Sequence, residues 1–104
     1  MGWADQHIKK LQAGETVKFR PRGRSMEPKI MSGQLVTVAP ADESHLLKDG
    51  DIVLCKVNGN QYLHIADNVR HGSTTTAQIR NNKGRVNGWC DASDIYGVLI
   101  AKED

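Results

Sequence analysis

The sequence predicts a mainly β domain, a small partly closed barrel or coiled antiparallel sheet, with a short N-terminal helix. Short segments alternate apolar and polar residues with a period of two, as half-buried strands do. Turn residues such as Asn58-Gly59 separate these segments. A chain of 104 residues is long enough for one modest core but not for two. We therefore expect a helical extension over residues 1–15 and a β domain over residues 16–104.

The first residues have the periodicity of a helix over residues 3–11, followed by Gly14 as a stop signal. The side chains spaced to share one helix face are Trp3, His7, Ile8 and Leu11. Such a short helix is marginal in isolation, so we expect it to dock on the sheet.

Strand signals recur along the rest of the chain. They cover Gln34–Val38, Asp51–Val57, Thr74–Arg80 and Ile95–Ala101. The dipeptide Asn58-Gly59 predicts a two-residue hairpin, because both positions tolerate the positive φ of a type I′ turn. This turn pairs Val57 with Asn60, and the same register places Val53 opposite His64.

A basic segment follows the helix. Val17 and Phe19 alternate with Lys18, Arg20, Arg22 and Arg24, so a strand there would present four cations on one face. Such a stripe could attract an acidic protein surface or a phosphate backbone. Charge on an edge strand that prevents aggregation is the alternative, and we prefer it because only one aromatic residue is nearby.

Several classes of function lack support in the composition. The net charge of +2 does not by itself indicate a nucleic-acid partner. Cys55 and Cys90 do not form a disulfide framework or a metal-type spacing, and His7, His45 and His71 suggest no metal site. We expect no cofactor and no metal. No segment is apolar over the length of a bilayer, so a cytoplasmic location without membrane contact is expected.

Ser25 lies in a turn that reads GRSMEPKI from Gly23 to Ile30. Pro28 disfavours a helical conformation at Glu27, which leaves the hydroxyl exposed and backbone N–H groups nearby for a developing oxyanion. A serine needs a neighbouring base to become a good nucleophile, and His64 on the hairpin is one. An ordinary turn serine and a half-buried histidine are the alternative interpretation.

The segment GRSMEPKI followed by SGQLVTV resembles the nucleophile segment of the LexA-like and signal-peptidase-like serine peptidases. Residues 50–68 (GDIVLCKVNGNQYLHIADN) resemble the hairpin of these peptidases, whose return strand carries the general base, and IYGVLIA resembles their closing strand. The resemblance spans residues 16–101. It implies Ser25 as the nucleophile and His64 as the base, as in signal peptidases of the endoplasmic-reticulum type. It also implies contacts between the substrate and Met26, Glu27 and Pro28.

The third catalytic residue departs from the family pattern. Signal peptidases of the histidine type use a downstream aspartate, but the matching stretch, residues 79–89 (IRNNKGRVNGW), contains no carboxylate. We expect Asn81 or Asn82 to orient the imidazole, as asparagine does in Cys-His-Asn enzymes, with Asp67 and Asp94 as other candidates. Residues 81–84 and 87–88 also have the composition of turns.

The function predicted from the sequence is that of a small cytoplasmic serine endopeptidase acting on a peptide or protein. The alternative is an inactive regulatory module of the same fold, encoded by a phage or mobile element. That module would contact a host protein or nucleic acid through Lys18, Arg20, Arg22 and Arg24. The sequence leaves the oligomeric state open.

Overall fold

A computed structural model describes residues 2–41 and 46–104. Over these residues it contains an α-helix, seven strands and a 3-10 helix at Ala92–Asp94. In chain order the helix and strands are α1 (Asp5–Gln12), β1 (Val17–Phe19), β2 (Leu35–Pro40), β3 (Ile52–Val57), β4 (Asn60–His71), β5 (Thr75–Arg80), β6 (Val86–Asp91) and β7 (Ile95–Glu103). None of the helices in this part of the chain has the length and hydropathy needed to span a membrane.

All seven strands belong to one antiparallel sheet with the order β1-β2-β7-β3-β4-β5-β6. The sheet does not close into a barrel within the described ranges. It coils instead, so that β6 returns over β3, where the Cys90 thiol donates a hydrogen bond to the Lys56 carbonyl at 3.3 Å. The prediction of a mainly β, coiled antiparallel fold with a short N-terminal helix is confirmed.

The β3–β4 hairpin has the predicted turn and the predicted register. Asn58 and Gly59 have φ values of 51° and 83°, as a type I′ turn requires. Val57 pairs with Asn60 and Val53 pairs with His64. The local turn chemistry therefore fixes the position of His64 on the sheet.

Buried side chains lie on both faces of β3. Leu54 belongs to a cluster that includes Ile8 and Leu11 of α1, whereas Val53 and Cys55 belong to a second cluster. Because both faces are covered, β3 reads as an almost continuous apolar run. The division at residue 15 stays a prediction, but α1 shares its core with the strands.

Three expectations about individual elements are wrong. The basic stripe is not a strand face, because β1 ends at Phe19 and the Arg20 guanidinium turns to donate to the Gly33 carbonyl at 2.9 Å. Asn87-Gly88 is not a turn, since both residues lie within β6. The helix begins at Asp5 instead of residue 3, and Trp3 is 52% exposed.

Candidate active site

The turn that carries Ser25 is anchored by its apolar neighbours. Met26 and Ile30 are 6% and 3% exposed and pack in the cluster that contains α1, together with Leu63. The Ile30 N–H donates to the Met26 carbonyl at 3.0 Å, which closes the turn between these two anchors. Ser25 itself is half-buried and lines the cleft described below. The segment that directly follows Ser25 is therefore held in place.

His64 lies on β4 with its side chain 7% exposed. Its Nε2 is 3.1 Å from the Ser25 Oγ, although the two residues are 39 positions apart in the sequence. This distance is within the range that proton transfer between a nucleophile and a base requires. The structure thus brings together the two residues that the sequence singled out.

Asn87 on β6 makes the other hydrogen bond of the imidazole. Its Oδ1 is 2.7 Å from His64 Nδ1. An amide oxygen can only accept, so Nδ1 carries the proton and Nε2 has a free lone pair. That lone pair can accept the proton of the Ser25 hydroxyl. Asn87 therefore sets the tautomer that a general base needs.

The surroundings of His64 favour the neutral imidazole. Burial lowers the pKa of His64 below its ordinary value of 6.5, and the hydrogen bond that Nδ1 donates to Asn87 opposes part of this effect. The Tyr62 ring stacks on the imidazole with a centroid distance of 4.8 Å. At neutral pH the ring is therefore unprotonated and ready to accept a proton.

Asn81 and Asn82, expected to orient the imidazole, occupy other positions in the structure. The Asn81 Oδ1 accepts hydrogen bonds from the N–H groups of Lys83 and Arg85, at 2.8 Å and 2.9 Å, and so shapes the β5–β6 turn. The Asn82 N–H donates to the Ser25 carbonyl at 2.8 Å, and its Nδ2 donates to the Glu27 carbonyl at 3.0 Å. Asn82 thus clamps the serine turn, and the contact with His64 belongs to Asn87.

We expect Asn82→Ala to loosen the Ser25 turn without removing a reacting group. The loss of the side-chain hydrogen bond should lower the free energy of unfolding by about 1 kcal/mol. A less well held hydroxyl should slow acylation of Ser25 by up to about 10²-fold. A time course of labelling with a serine-reactive probe measures the rate of acylation, and urea denaturation measures the free energy of unfolding. Lys83→Ala, one position further along the same turn, is the control and should change neither.

The carboxylates considered as alternatives have other partners. Asp67 forms an ion pair with Arg80, and Asp94 accepts a hydrogen bond from the Tyr96 hydroxyl at 3.4 Å. Among the residues that the structure describes, no carboxylate contacts the imidazole of His64. The third position of the site is therefore an amide.

Backbone donors lie beside the nucleophile. Among the described residues, the N–H groups of Ser25 and Met26 donate no hydrogen bond, whereas the Ser25 and Glu27 carbonyls accept from Asn82. Donors of this kind next to a serine can bind the oxyanion that forms when its hydroxyl attacks a carbonyl. The serine turn thus offers both a nucleophile and a place for the developing charge.

The Ser25 hydroxyl faces a cleft of about 470 Å³. Within the described ranges, Met26 lines this cleft but Glu27 and Pro28 do not, so substrate contacts by the latter two stay a prediction. The lining also includes apolar side chains and two arginines, namely Ile30, Met31, Leu63, Arg22 and Arg85. A peptide segment could therefore lie across the serine with an apolar side chain in the cleft.

Asn87 is the site residue that the sequence analysis missed. Its dipeptide Asn87-Gly88 has the composition of a turn, but only two residues separate it from the turn that ends at Gly84. A strand cannot form in so short a space, so one of the two turns had to be false. The six residues of β5 require a return strand of similar length, and Val86–Asp91 supplies it.

Over residues 2–41 and 46–104, no group of three or more His, Cys, Asp or Glu side chains is arranged to hold a metal ion. His7 stacks on Phe19 with a centroid distance of 4.3 Å. His71 contacts the Leu47 carbonyl through Nε2. His45 lies outside the described residues.

A serine, a histidine and an asparagine form one hydrogen-bonded line on a coiled antiparallel sheet, in the order of nucleophile, base and orienting residue that catalytic triads have. A family model for Peptidase S24-like proteins matches residues 4–82. This match covers most of the chain, so the protein belongs to the Peptidase S24-like family. The resemblance to the LexA-like superfamily is confirmed. No curated protein matches the chain in sequence.

The family match includes Ser25 and His64 but ends before Asn87. It also begins at residue 4 and so includes α1, which the resemblance to LexA-like peptidases left out. The contact of Asn87 with the imidazole is therefore supported by the structure and not by the family match.

Proposed function

We propose that this protein is a serine endopeptidase in which Ser25 is the nucleophile, His64 is the general base and Asn87 orients the imidazole. The observation that carries the proposal is the 3.1 Å contact between Ser25 Oγ and a His64 Nε2 whose lone pair is free to accept. A buried, neutral imidazole in this position is the arrangement that activates a serine hydroxyl.

The reaction follows from these positions. His64 Nε2 takes the proton of the Ser25 hydroxyl while Oγ attacks the peptide carbonyl carbon, and the N–H groups of Ser25 and Met26 bind the oxyanion. Protonated His64 then donates to the leaving nitrogen, and the C–N bond breaks to leave an acyl-enzyme. Water attacks this ester as His64 takes one of its protons. The bond to Ser25 Oγ then breaks as His64 returns that proton to Oγ, which releases the carboxylic acid and restores Ser25 and the neutral imidazole.

The amide at Asn87 makes this site weaker than one with a carboxylate. An amide oxygen holds the Nδ1 proton in place, but it carries no full charge to stabilise the imidazolium that forms in the transition state. We therefore expect slow turnover, with the acylation step most affected.

The alternative, an inactive module that binds partners through Lys18, Arg20, Arg22 and Arg24, has less support. These four residues do not form one strand face, because β1 ends at Phe19. A cytoplasmic location is part of our proposal. Cys55 and Cys90 are free and buried, which agrees with a reducing compartment.

Labelling of the wild-type protein with a fluorophosphonate, followed by peptide mapping in a mass spectrometer, tests the proposal. We expect one modified residue, Ser25, and labelling that depends on a folded protein. The probe reacts with activated serines, so exposed serines such as Ser73 serve as internal controls. A folded protein that stays unlabelled from about pH 5 to pH 9 would contradict the proposal, as would a label on another serine.

A further inference from the structure

We propose that the cleft beside Ser25 selects peptide segments that carry a glutamate or aspartate next to an apolar residue. The juxtaposition behind this inference is that of two exposed arginines, Arg22 and Arg85, with an apolar wall in one cleft. Cleavage of such a segment rests on the proposed function, whereas its selective binding does not.

The arginine side chains that line the cleft give it a positive charge. Arg22 and Arg85 line it, and no aspartate or glutamate among the described residues does so. Neither guanidinium forms an ion pair with another described residue. A guanidinium binds a carboxylate through two parallel hydrogen bonds, so each arginine is a ready partner for an acidic side chain.

Two carboxylates on neighbouring segments, those of Asp5 and Glu27, do not line the cleft. Asp5, close to one end, accepts hydrogen bonds from the Gly2 N–H and the Gln61 side-chain amide. Glu27, on the serine turn, does not line the cleft. The cation Arg24 is exposed on the serine turn and adds to the positive field.

The apolar wall explains the second half of the preference. Met26, Ile30 and Leu63 are buried at its base, and Met31 is 48% exposed at its edge. Methionine side chains adapt to the shape of a bound group, so the wall can accept an aliphatic residue of varied shape. A peptide whose acidic residue adjoins an apolar one can satisfy both features at once.

The strength of the preference for acidic peptides depends on how far Arg22 and Arg85 are exposed to solvent. Because both arginines are open to solvent, we expect each to favour an acidic over a neutral peptide by about threefold to tenfold at low salt. The preference should shrink at high ionic strength, since exposed charges are screened. A lysine in place of the acidic residue should weaken binding relative to the neutral peptide.

The test uses the full chain carrying Ser25→Ala, which binds without cleaving, and the fluorescence anisotropy of labelled peptides. The probes are short alanine peptides with a central leucine, flanked on both sides by glutamate, glutamine or lysine. We expect the tightest Kd for the glutamate peptide and the weakest for the lysine peptide, with a ratio of about tenfold or more. Arg22→Gln and Arg85→Gln should each reduce that ratio. Lys83→Gln, exposed and outside the cleft lining, is the matched control and should preserve it.

Equal affinity for the three peptides, a preference for lysine, or no binding of the glutamate peptide at about 1 mM would overturn the inference. A preference that survives the double variant Arg22→Gln/Arg85→Gln would overturn it as well. Circular dichroism confirms that each variant is folded. The two proposals fail separately: an unlabelled Ser25 in the wild type ends the peptidase assignment, whereas loss of the charge preference ends only this inference.

Discussion

Replacing Ser25 with alanine is expected to abolish fluorophosphonate labelling and to leave only a residual rate of peptide hydrolysis, and His64→Gln is expected to slow both by about 10³-fold to 10⁴-fold. The first change removes the attacking oxygen. The second change keeps a polar side chain but removes the imidazole. Among the described residues, the imidazole is the only group within hydrogen-bond distance of Ser25 Oγ that can take the proton of the hydroxyl. The measurements are kcat/KM for a cleaved peptide and the second-order rate constant of labelling.

The double variant sharpens this prediction. If Ser25 and His64 act as one unit, the rate of Ser25→Ala/His64→Gln should equal that of Ser25→Ala, because the effects of residues in a catalytic unit do not add. His71→Gln, at the far end of the same strand, should leave the rate unchanged. Wild-type rates in His64→Gln, with its fold intact by circular dichroism, would show that the imidazole is not the base.

The parts of the site that could be predicted are those that local chemistry determines. The type I′ turn at Asn58-Gly59 fixes the register of the hairpin, and the register fixes which residue lies opposite Val53. The serine turn likewise depends on its own residues, because Met26 and Ile30, which follow the serine, are both buried. Each of these features is encoded within a dozen residues, so the sequence is sufficient to locate it.

Asn87 could not be predicted in this way, because its contact depends on the coiling of the whole sheet. Gly88, with a φ of 141°, lies where the β5–β6 register shifts. A Cβ at this position would meet the Val57 side chain at 3.0 Å, so the glycine lets β6 approach β3 closely. The Gly88 that made the sequence resemble a turn therefore allows β6, the strand that carries Asn87, to approach β3 closely.

The basic segment shows that alternation of apolar and charged residues is not sufficient to form a strand. Alternation continues from Val17 to Arg24, but a strand also needs a partner for its backbone groups. The partner strand β2 begins at Leu35, and its last contact with β1 is that of Val36 with Phe19. Beyond that point Pro21 supplies no N–H and the chain turns towards Ser25. Arg20, Arg22 and Arg24 thus lie on a loop, and Arg22 reaches the cleft.

The wild-type pH profile is set by His64. Only the neutral imidazole can act as a base, and burial lowers its pKa below 6.5, so kcat/KM should rise with pH through this lowered pKa and level off above it. The same shift affects stability. At a pH between the pKa of His64 in the folded chain and its pKa in the unfolded chain, the unfolded chain binds more protons than the folded one. The free energy of unfolding therefore falls as pH drops from about 6.5 and levels off below the folded pKa.

Asn87→Ala and Asn87→Asp are expected to move this profile in opposite directions. Alanine removes the hydrogen bond that raises the pKa of His64, so the acid limb should shift to lower pH while the plateau of kcat/KM falls by about 10²-fold through loss of orientation. Aspartate adds a negative charge at hydrogen-bond distance from Nδ1, which should raise the pKa of His64. It should also raise the plateau, because the carboxylate stabilises the imidazolium that forms during attack.

The opposite shifts separate a positioning role from a merely structural one. A residue that only supports β6 would change the unfolding temperature and scale the rate without moving the pH at which the rate is half-maximal. Asn60→Asp adds the same charge at an exposed position at the start of β4, so it controls for long-range electrostatics and should leave the acid limb in place. Nuclear magnetic resonance titration of the His64 ring in each variant measures the pKa directly, without substrate. If Asn87→Asp left that pKa at its wild-type value, the contact between Asn87 and Nδ1 would not control the imidazole, and the line from Ser25 through His64 to Asn87 would lose its third member.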